Sequence, residues 1–240
     1  MVYKQDMTVK AKMRNEGERL IVESGGRSYI LSRLGDLESL WEGLSDGIDE
    51  NHIPYWTELW PASLALGEWL DERAEEIENR VCLDIGCGLG FLSLLAQARG
   101  ARVLGMDLEG EALFYARKNA VLNGRKPSFT RMDWNHPAAR KGAFERIIAS
   151  DILYEARFME PLAAFLAHSL AKDGFAWIAD PCRSFFAGFV AVLAKNGLGA
   201  RVVGEKIAGV EITASIPVRV KIWQIAFFEN TGPGGACNAE

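Results

Sequence analysis

The stretch VCLDIGCGLG, residues 81–90, is a short apolar run that ends in a glycine-rich turn, and the residues that follow it, FLSLLAQAR, have the composition of a helix. A strand, a tight turn and a helix in this order are the repeating unit of parallel α/β proteins. A glycine-rich turn between a first strand and its helix also brings backbone N–H groups close to a ligand. This stretch therefore predicts both a fold class and the place where a ligand binds.

The alternation of strand and helix continues along the chain. Further strand-like runs are found at 101–106, 129–132, 144–149, 175–179, 200–212 and 217–228. Helical or loop segments separate the earlier runs, whereas the last two follow each other directly. Alternation implies a parallel sheet, and two consecutive strands imply an antiparallel hairpin at its edge. We predict an α/β fold with a doubly wound, seven-stranded, mostly parallel sheet whose last strand is antiparallel.

Residues 1–50 have a different pattern. Apolar and polar residues alternate at 9–13 and on both sides of Gly25-Gly26, which predicts a small antiparallel meander. The apolar spacing at 37–44 predicts a short helix. Three parts are expected: an N-terminal extension packed on the main domain (1–50), the main domain (51–230) and a flexible tail (231–240).

The composition is that of an ordinary globular protein. The 240 residues include 27 Lys+Arg and 32 Asp+Glu, a formal net charge of −5, and 49% are hydrophobic. This mild acidic excess argues against a nucleic-acid partner, and no apolar run predicts a membrane span or a secretion signal. Four cysteines without a paired spacing indicate reduced thiols, so we expect a cytoplasmic protein. The acidic stretch at 71–78 is interpreted as a solvated helix face.

The spacing of the glycines narrows the choice of ligand. Three glycines alternate with other residues: Gly86, Gly88 and Gly90. Dinucleotide-binding turns have their third glycine one position later, where this chain has Phe91. Asp84 repels a pyrophosphate but attracts an ammonium, and Asp107, at the end of the second strand, has the chemistry to accept both hydroxyls of a ribose. A ligand with an ammonium, a ribose and no phosphate suggests S-adenosylmethionine. A tight turn that needs positive φ is the alternative explanation for the glycines.

The pattern D-x-G-x-G-x-G followed by a second acidic residue resembles the glycine motif of the class I, or seven-β-strand, S-adenosylmethionine-dependent methyltransferases, which have a Rossmann-like fold. The resemblance covers residues 50–230 approximately. It implies S-adenosyl-L-methionine as cofactor, S-adenosyl-L-homocysteine as product and no metal. The three histidines have no metal-ligand spacing, which agrees with this expectation.

The same resemblance implies further cofactor contacts. Asp133 and Trp134, after the third strand, resemble a pair in which the carboxylate bonds to the adenine amine and the indole packs on the ring. Trp60 resembles a tryptophan that opens the helix over the cofactor, and Leu108 and Ser150 are implied to line the same site. As alternatives, Asp133 and Trp134 are a loop aspartate beside a half-buried ring, and Trp60 belongs to an N-terminal core cluster.

The chemistry is predicted after the fourth strand. The segment Ser150-Asp151-Ile-Leu-Tyr154 resembles the D-x-x-Y signature of the protein-lysine methyltransferase branch and differs from the N-P-P-Y of many nucleic-acid amino methyltransferases. Methyl transfer needs a neutral amine held in line, so the resemblance assigns Asp151 to hydrogen-bond the amine and Tyr154 to orient it or shape the pocket. The alternatives are a loop cap for Asp151 and plain packing for Tyr154.

The segment Asp180-Pro181-Cys182-Arg183 follows the fifth strand. Together with PYWTELWP at 54–61, it resembles the lysine methyltransferases of the electron-transfer flavoprotein β subunit, which makes that subunit a candidate partner. Arg183 is expected to pair with an acidic substrate surface or with Asp180. We therefore predict an S-adenosylmethionine-dependent N-methyltransferase that acts on a protein lysine. A small-molecule N-methyltransferase, a nucleic-acid methyltransferase and a non-catalytic binding module are the alternatives.

Overall fold

The computed structural model describes residues 7–35, 54–209 and 217–228. Its strands are β1 Lys12–Asn15, β2 Arg19–Ser24, β3 Arg27–Ser32, β4 Val81–Ile85, β5 Arg102–Asp107, β6 Ser128–Arg131, β7 Phe144–Ser150, β8 Leu170–Asp180, β9 Leu198–Ala208 and β10 Val218–Phe227. Its helices are α1 Pro61–Glu72, α2 Ala74–Ile77, α3 Phe91–Ala98, α4 Gly110–Leu122, α5 Met159–Ser169 and α6 Phe185–Lys195. No helix in these ranges combines the length and apolar character that a membrane crossing requires. The helix predicted at 37–44 and the tail at 231–240 lie outside the described residues.

Seven strands form one sheet in the order β6-β5-β4-β7-β8-β10-β9. Neighbours among β4, β5, β6, β7 and β8 pair in parallel, whereas β10 is antiparallel to both β8 and β9. The predicted fold class is confirmed. The strand order reverses at β4, which lies between β5 and β7, and in open α/β sheets ligands bind outside the carboxyl ends of the strands at such a point.

Apolar side chains cover the sheet on both faces. Leu20 of β2, Leu64 of α1 and Leu95 of α3 belong to one buried cluster, and Phe165 of α5 and Phe189 of α6 belong to the other. Full burial of a side chain of this size stabilises the fold by about 1.5–3 kcal/mol. The N-terminal sheet therefore contributes to the same core as one face of the main sheet.

The strands β1, β2 and β3 form a separate antiparallel sheet in that order. Gly25 and Gly26, with φ of 54° and 73°, make the turn between β2 and β3, and two positive φ values match the right-handed twist of a hairpin. The predicted meander is confirmed, but its first strand is shorter than the alternation at 9–13 indicates. Thr8 instead forms a parallel bridge with Ile207 of β9.

A buried amide side chain joins the N-terminal sheet to the rest of the molecule. The Oδ1 atom of Asn119, on α4, accepts the N–H of Ser32 at 2.7 Å, and its Nδ2 atom donates to the carbonyls of Ser32 and Leu89 at 3.1 and 2.9 Å. Leu89 lies in the glycine-rich turn after β4. One side chain thus contacts both the end of β3 and the predicted ligand site.

Candidate active site

The turn after β4 consists largely of left-handed backbone. Its glycines have positive φ: Gly86 63°, Gly88 50° and Gly90 84°. The Gly88 N–H donates to Oδ2 of Asp107 at 2.9 Å, which fastens the turn to the end of β5. A Cβ on Gly90 would lie 3.1 Å from the Cβ of Ala116 on α4. Backbone geometry and close packing alone explain these glycines, so the assignment of a ligand depends on the acidic residues and on similarity to known proteins.

Two carboxylates accompany this turn. Asp84 on β4 is buried, and its Oδ2 atom accepts the hydroxyl of Ser93 at 2.6 Å. Burial raises the pKa of Asp84 to about 7, and the nearby charge of Asp107 adds to the shift. Burial also raises the pKa of Asp107. Hydrogen bonds from the backbone N–H groups of Glu109 and Gly88 lower this pKa but do not offset the effect of burial. Two carboxylates that repel each other favour a cationic ligand, and the sulfonium and ammonium groups of S-adenosylmethionine fit this requirement.

The residues predicted to contact the ribose and the adenine follow β5 and β6, which are parallel neighbours. Leu108, next to Asp107, is 52% exposed. The Oδ1 atom of Asp133 accepts the backbone and side-chain N–H groups of Asn135, each at 2.8 Å, and the backbone bond lowers the pKa of Asp133. Trp134 is half-buried. The structure brings these side chains to one edge of the sheet, and their cofactor contacts stay predictions.

A row of five aromatic rings links this edge to the predicted acceptor site. It runs from Trp134 through Phe158, Tyr154 and Tyr55 to Trp60, with neighbouring ring centroids 5.5, 5.0, 5.5 and 6.1 Å apart. We call these rings the aromatic row. The sequence analysis does not single out Tyr55 or Phe158. Tyr55 could have been predicted, because it lies in the same aromatic segment as Trp60. No local sequence pattern indicates a role for Phe158.

Asp151 and Tyr154 follow β7, the strand beside β4. Asp151 has a left-handed φ of 53°, and its N–H still donates to the Ala179 carbonyl at 3.0 Å, so the chain leaves the sheet at this residue. The Asp151 side chain is 6% exposed and Tyr154 is 37% exposed. Burial raises the pKa of Tyr154. The Ser150 hydroxyl forms a hydrogen bond of 2.8 Å with that of Ser63, in the first turn of α1.

Arg183 reaches this site from the end of β8. Its Nε donates to Oδ1 of Asp151 at 2.7 Å, and its backbone N–H donates to Oδ2 of Asp180 at 2.9 Å. Arg183 therefore contacts Asp180 through its backbone N–H, while its guanidinium pairs with Asp151, which follows the neighbouring strand. Burial raises the pKa of Asp180 to about 6, and the charge of Asp151 adds to the shift. In the described part of the chain, the Asp151 carboxylate pairs with Arg183 rather than capping loop N–H groups.

Residues 82–174 match the family model described as a methyltransferase domain. The match extends from β4 into β8, so it includes the glycine turn, Asp107 and the D-x-x-Y segment. The methyltransferase resemblance predicted from the sequence is confirmed.

Two protein-lysine methyltransferases are similar to this chain. The electron transfer flavoprotein beta subunit lysine methyltransferase of Rattus norvegicus is 30% identical over 137 residues, which are 56% of this chain and 53% of that protein. The protein-lysine methyltransferase METTL21E of Mus musculus is 26% identical over 176 residues, 66% of this chain and 70% of that protein. The chain thus spans about half the length of the first relative.

The fold is also that of known methyltransferases. The structure of magnesium protoporphyrin IX methyltransferase (ChlM) from Synechocystis PCC 6803 with bound SAM has a TM-score of 0.53 at 18% sequence identity, and the likeness covers 79% of this chain and 90% of that one. At this identity the likeness concerns the fold.

Proposed function

We propose that the protein transfers a methyl group from S-adenosylmethionine to the Nε atom of a lysine in a protein substrate. One observation carries the proposal: the almost buried carboxylate of Asp151, 6% exposed, lies beside Tyr154 at the end of β7, the strand paired with the glycine-turn strand. This arrangement suits a primary amine next to the cofactor.

The chain's own residues supply position and charge. S-adenosylmethionine, when bound, supplies a methyl group on a positively charged sulfur. A lysine reaches this methyl only as a neutral amine with its lone pair in line. Asp151 accepts a hydrogen bond from the incoming ammonium and holds it. Tyr154 and Tyr55, whose ring centroids are 5.5 Å apart, provide aromatic surface for the amine, and an apolar surrounding lowers the pKa of an amine.

The proposed substrate is a protein because both relatives described above carry protein-lysine methyltransferase names. The β subunit of the electron-transfer flavoprotein is the first partner to test, since the rat relative is named for it. We also propose the cytoplasm as the compartment. The free thiols of Cys82, Cys87 and Cys182 support this choice, and fractionation of cells that express the tagged protein tests it.

The deciding experiment incubates the purified protein with methyl-labelled S-adenosylmethionine and a cell extract. Label that enters protease-sensitive, nuclease-resistant material and is recovered as methyl-lysine supports the proposal. Label in small molecules or in nuclease-sensitive material would replace it with one of the alternative acceptors. The purified flavoprotein β subunit, assayed in the same way, tests the partner.

The matched variants are Asp151→Asn and Asp173→Asn. Loss of the Asp151 charge should lower turnover by about 10²–10⁴-fold, the usual contribution of a positioned acid or base. Asp173, exposed on β8, is the control and should keep normal turnover. If Asp151→Asn retains turnover and loses thermal stability, Asp151 has a structural role, and the argument for a lysine acceptor fails.

A further inference from the structure

The ends of β7 and β8 leave the sheet in the same way. Asp151 follows β7 with φ 53°, and Cys182 follows β8 with φ 61°. A left-handed conformation is unfavourable for residues with a side chain and persists where the surrounding contacts hold it, often at functional sites. These two turns bring Asp151 and Arg183, which follow the neighbouring strands β7 and β8, into contact.

The contact between them is well defined. The Nε atom of Arg183 lies 2.7 Å from Oδ1 of Asp151, whose side chain is 6% exposed. Arg183 is itself fixed at its backbone, since its N–H donates to Oδ2 of Asp180 at 2.9 Å, and Asp180 is 3% exposed. Among the described residues, Arg183 supplies the hydrogen bond to the Asp151 carboxylate, which is made on Oδ1. The Oδ2 atom has capacity for another donor.

The Asp151–Arg183 pair has further polar neighbours. Burial raises the pKa of Asp180 to about 6, and the charge of Asp151 adds to the shift. Lys221 of β10 is the cross-strand partner of Asp180. The Tyr55 phenol also lies near Arg183, and its ring centroid is 5.5 Å from that of Tyr154.

We propose that Arg183 is a positioning residue, which holds Oδ1 of Asp151 so that Oδ2 is presented to the acceptor amine. This inference rests on the proposed amine methyltransferase function. It adds a residue that acts through Asp151, and it predicts that the effect of Arg183 on turnover disappears once Asp151 is replaced.

The kinetic test compares Arg183→Ala, Arg183→Lys and the control Arg80→Ala. Arg80 makes an ion pair of 2.9 Å with Glu145 at the opposite, amino end of β4. Arg183→Ala should lower kcat by about 10²-fold, the effect of a misplaced reacting group, with KM and S-adenosylhomocysteine affinity nearly unchanged. Arg183→Lys, or methylguanidine added to Arg183→Ala, should restore part of kcat. Neither treatment should help Asp151→Asn, and Arg80→Ala should behave as wild type.

The opposite kinetic result overturns the inference. A raised KM with normal kcat would mean that Arg183 contacts the substrate, as an acidic docking partner would require. Equal losses from Arg183→Ala in the wild-type and Asp151→Asn backgrounds would mean that the two residues act independently.

A structural readout separates this inference from the proposed function. In crystals of Arg183→Ala, the Asp151 carboxylate should leave the position that it has in wild-type crystals. If the Asp151 carboxylate keeps its position, Arg183 has no positioning role, whatever the acceptor is. A wild-type protein that methylates no lysine rejects the proposed function alone, because the crystallographic comparison still decides the role of Arg183.

Discussion

Asp84 is a buried acidic residue whose charge should destabilise the fold and which we predict to contact the cofactor. Its carboxylate is 1% exposed, and both the hydroxyl and the backbone N–H of Ser93 donate to it. The pKa of about 7 in the folded chain lies above the ordinary value of 3.8. Between these two values the folded state binds more protons than the unfolded state, so the stability of the fold decreases as the pH rises. The penalty is complete above pH 7.

Asp84→Asn should therefore stabilise the free protein at pH 8. The expected gain in the free energy of unfolding is about 2–4 kcal/mol, estimated from the pKa shift at 1.36 kcal/mol per unit, and it should vanish near pH 4. Cofactor affinity should fall by about 1–3 kcal/mol. Urea denaturation at both pH values and calorimetry with S-adenosylhomocysteine check these outcomes, with Asp173→Asn as control. Equal stability at pH 8 would show that the buried charge carries no penalty.

Trp134 offers a second test at the scale of a residue. A ring that packs on adenine contributes about 1–3 kcal/mol, so Trp134→Ala should weaken S-adenosylhomocysteine binding by that amount, and Trp134→Phe should recover part of it. The melting temperature should change little, because the side chain is only half-buried. A variant that melts much earlier but binds normally would instead place Trp134 in the core.

At the scale of elements, the hairpin turn between β2 and β3 is tied to α1 and α3. A Cβ on Gly25 would overlap the carboxylate of Asp71 and the guanidinium of Arg99, which form an ion pair of 2.6 Å, whereas a Cβ on Gly26 would meet open space. Both glycines have positive φ. The same substitution at the two positions therefore distinguishes the cost of backbone strain, which both share, from the cost of contact with Asp71 and Arg99, which only Gly25 has.

Gly25→Ala should destabilise the protein more than Gly26→Ala. The shared cost of a left-handed alanine is about 1–2 kcal/mol, and Gly25→Ala should add to it the displacement of the Asp71–Arg99 pair. Urea denaturation of the two variants gives the difference directly. Equal losses would mean that the ion pair moves aside without cost.

Most strands and helices could be predicted from the sequence because they depend on local residue patterns. Apolar runs, glycine turns and Pro61 at the start of α1 predict the bounds of most strands and helices to within a few residues. Contacts between distant residues were not accessible in this way. The acidic stretch at 71–78 was interpreted as solvated, yet Asp71 pairs with Arg99, the residue that follows α3. The partner of Arg183 was missed for the same reason, since strand order and two left-handed residues decide it.

At the scale of the whole molecule, the N-terminal sheet and the main domain share one hydrophobic core. Leu20, Val22 and Leu31 are 0% exposed and lie in the cluster that also contains Leu64. Asn119 adds two hydrogen bonds between the two parts, both to the backbone of Ser32. The two parts are therefore expected to unfold together.

Asn119→Ala tests this connection. Removal of the amide leaves buried backbone groups of Ser32 and Leu89 without their partner, and each such group costs about 1–3 kcal/mol. We expect a loss of about 3 kcal/mol or more in unfolding free energy and weaker S-adenosylhomocysteine binding. Asn196→Ala, which removes one bond to Val192 at the end of α6, is the control and should leave binding unchanged. Normal affinity in Asn119→Ala would show that β3 does not support the glycine turn.

The Asn119 bridge has a consequence for modularity. A boundary near residue 50 divides the amino-acid sequence by pattern, but the bridge and the shared core cross that boundary in the folded chain. A truncated protein that starts at the main domain would expose main-domain apolar surface from the cluster that Leu20 and Leu64 now share. It would also release one support of the glycine turn. The N-terminal sheet thus cannot be exchanged on its own. Chimeras that carry the sheet of a related protein should also need an α4 with a side chain that bonds to the end of β3, as Asn119 does here.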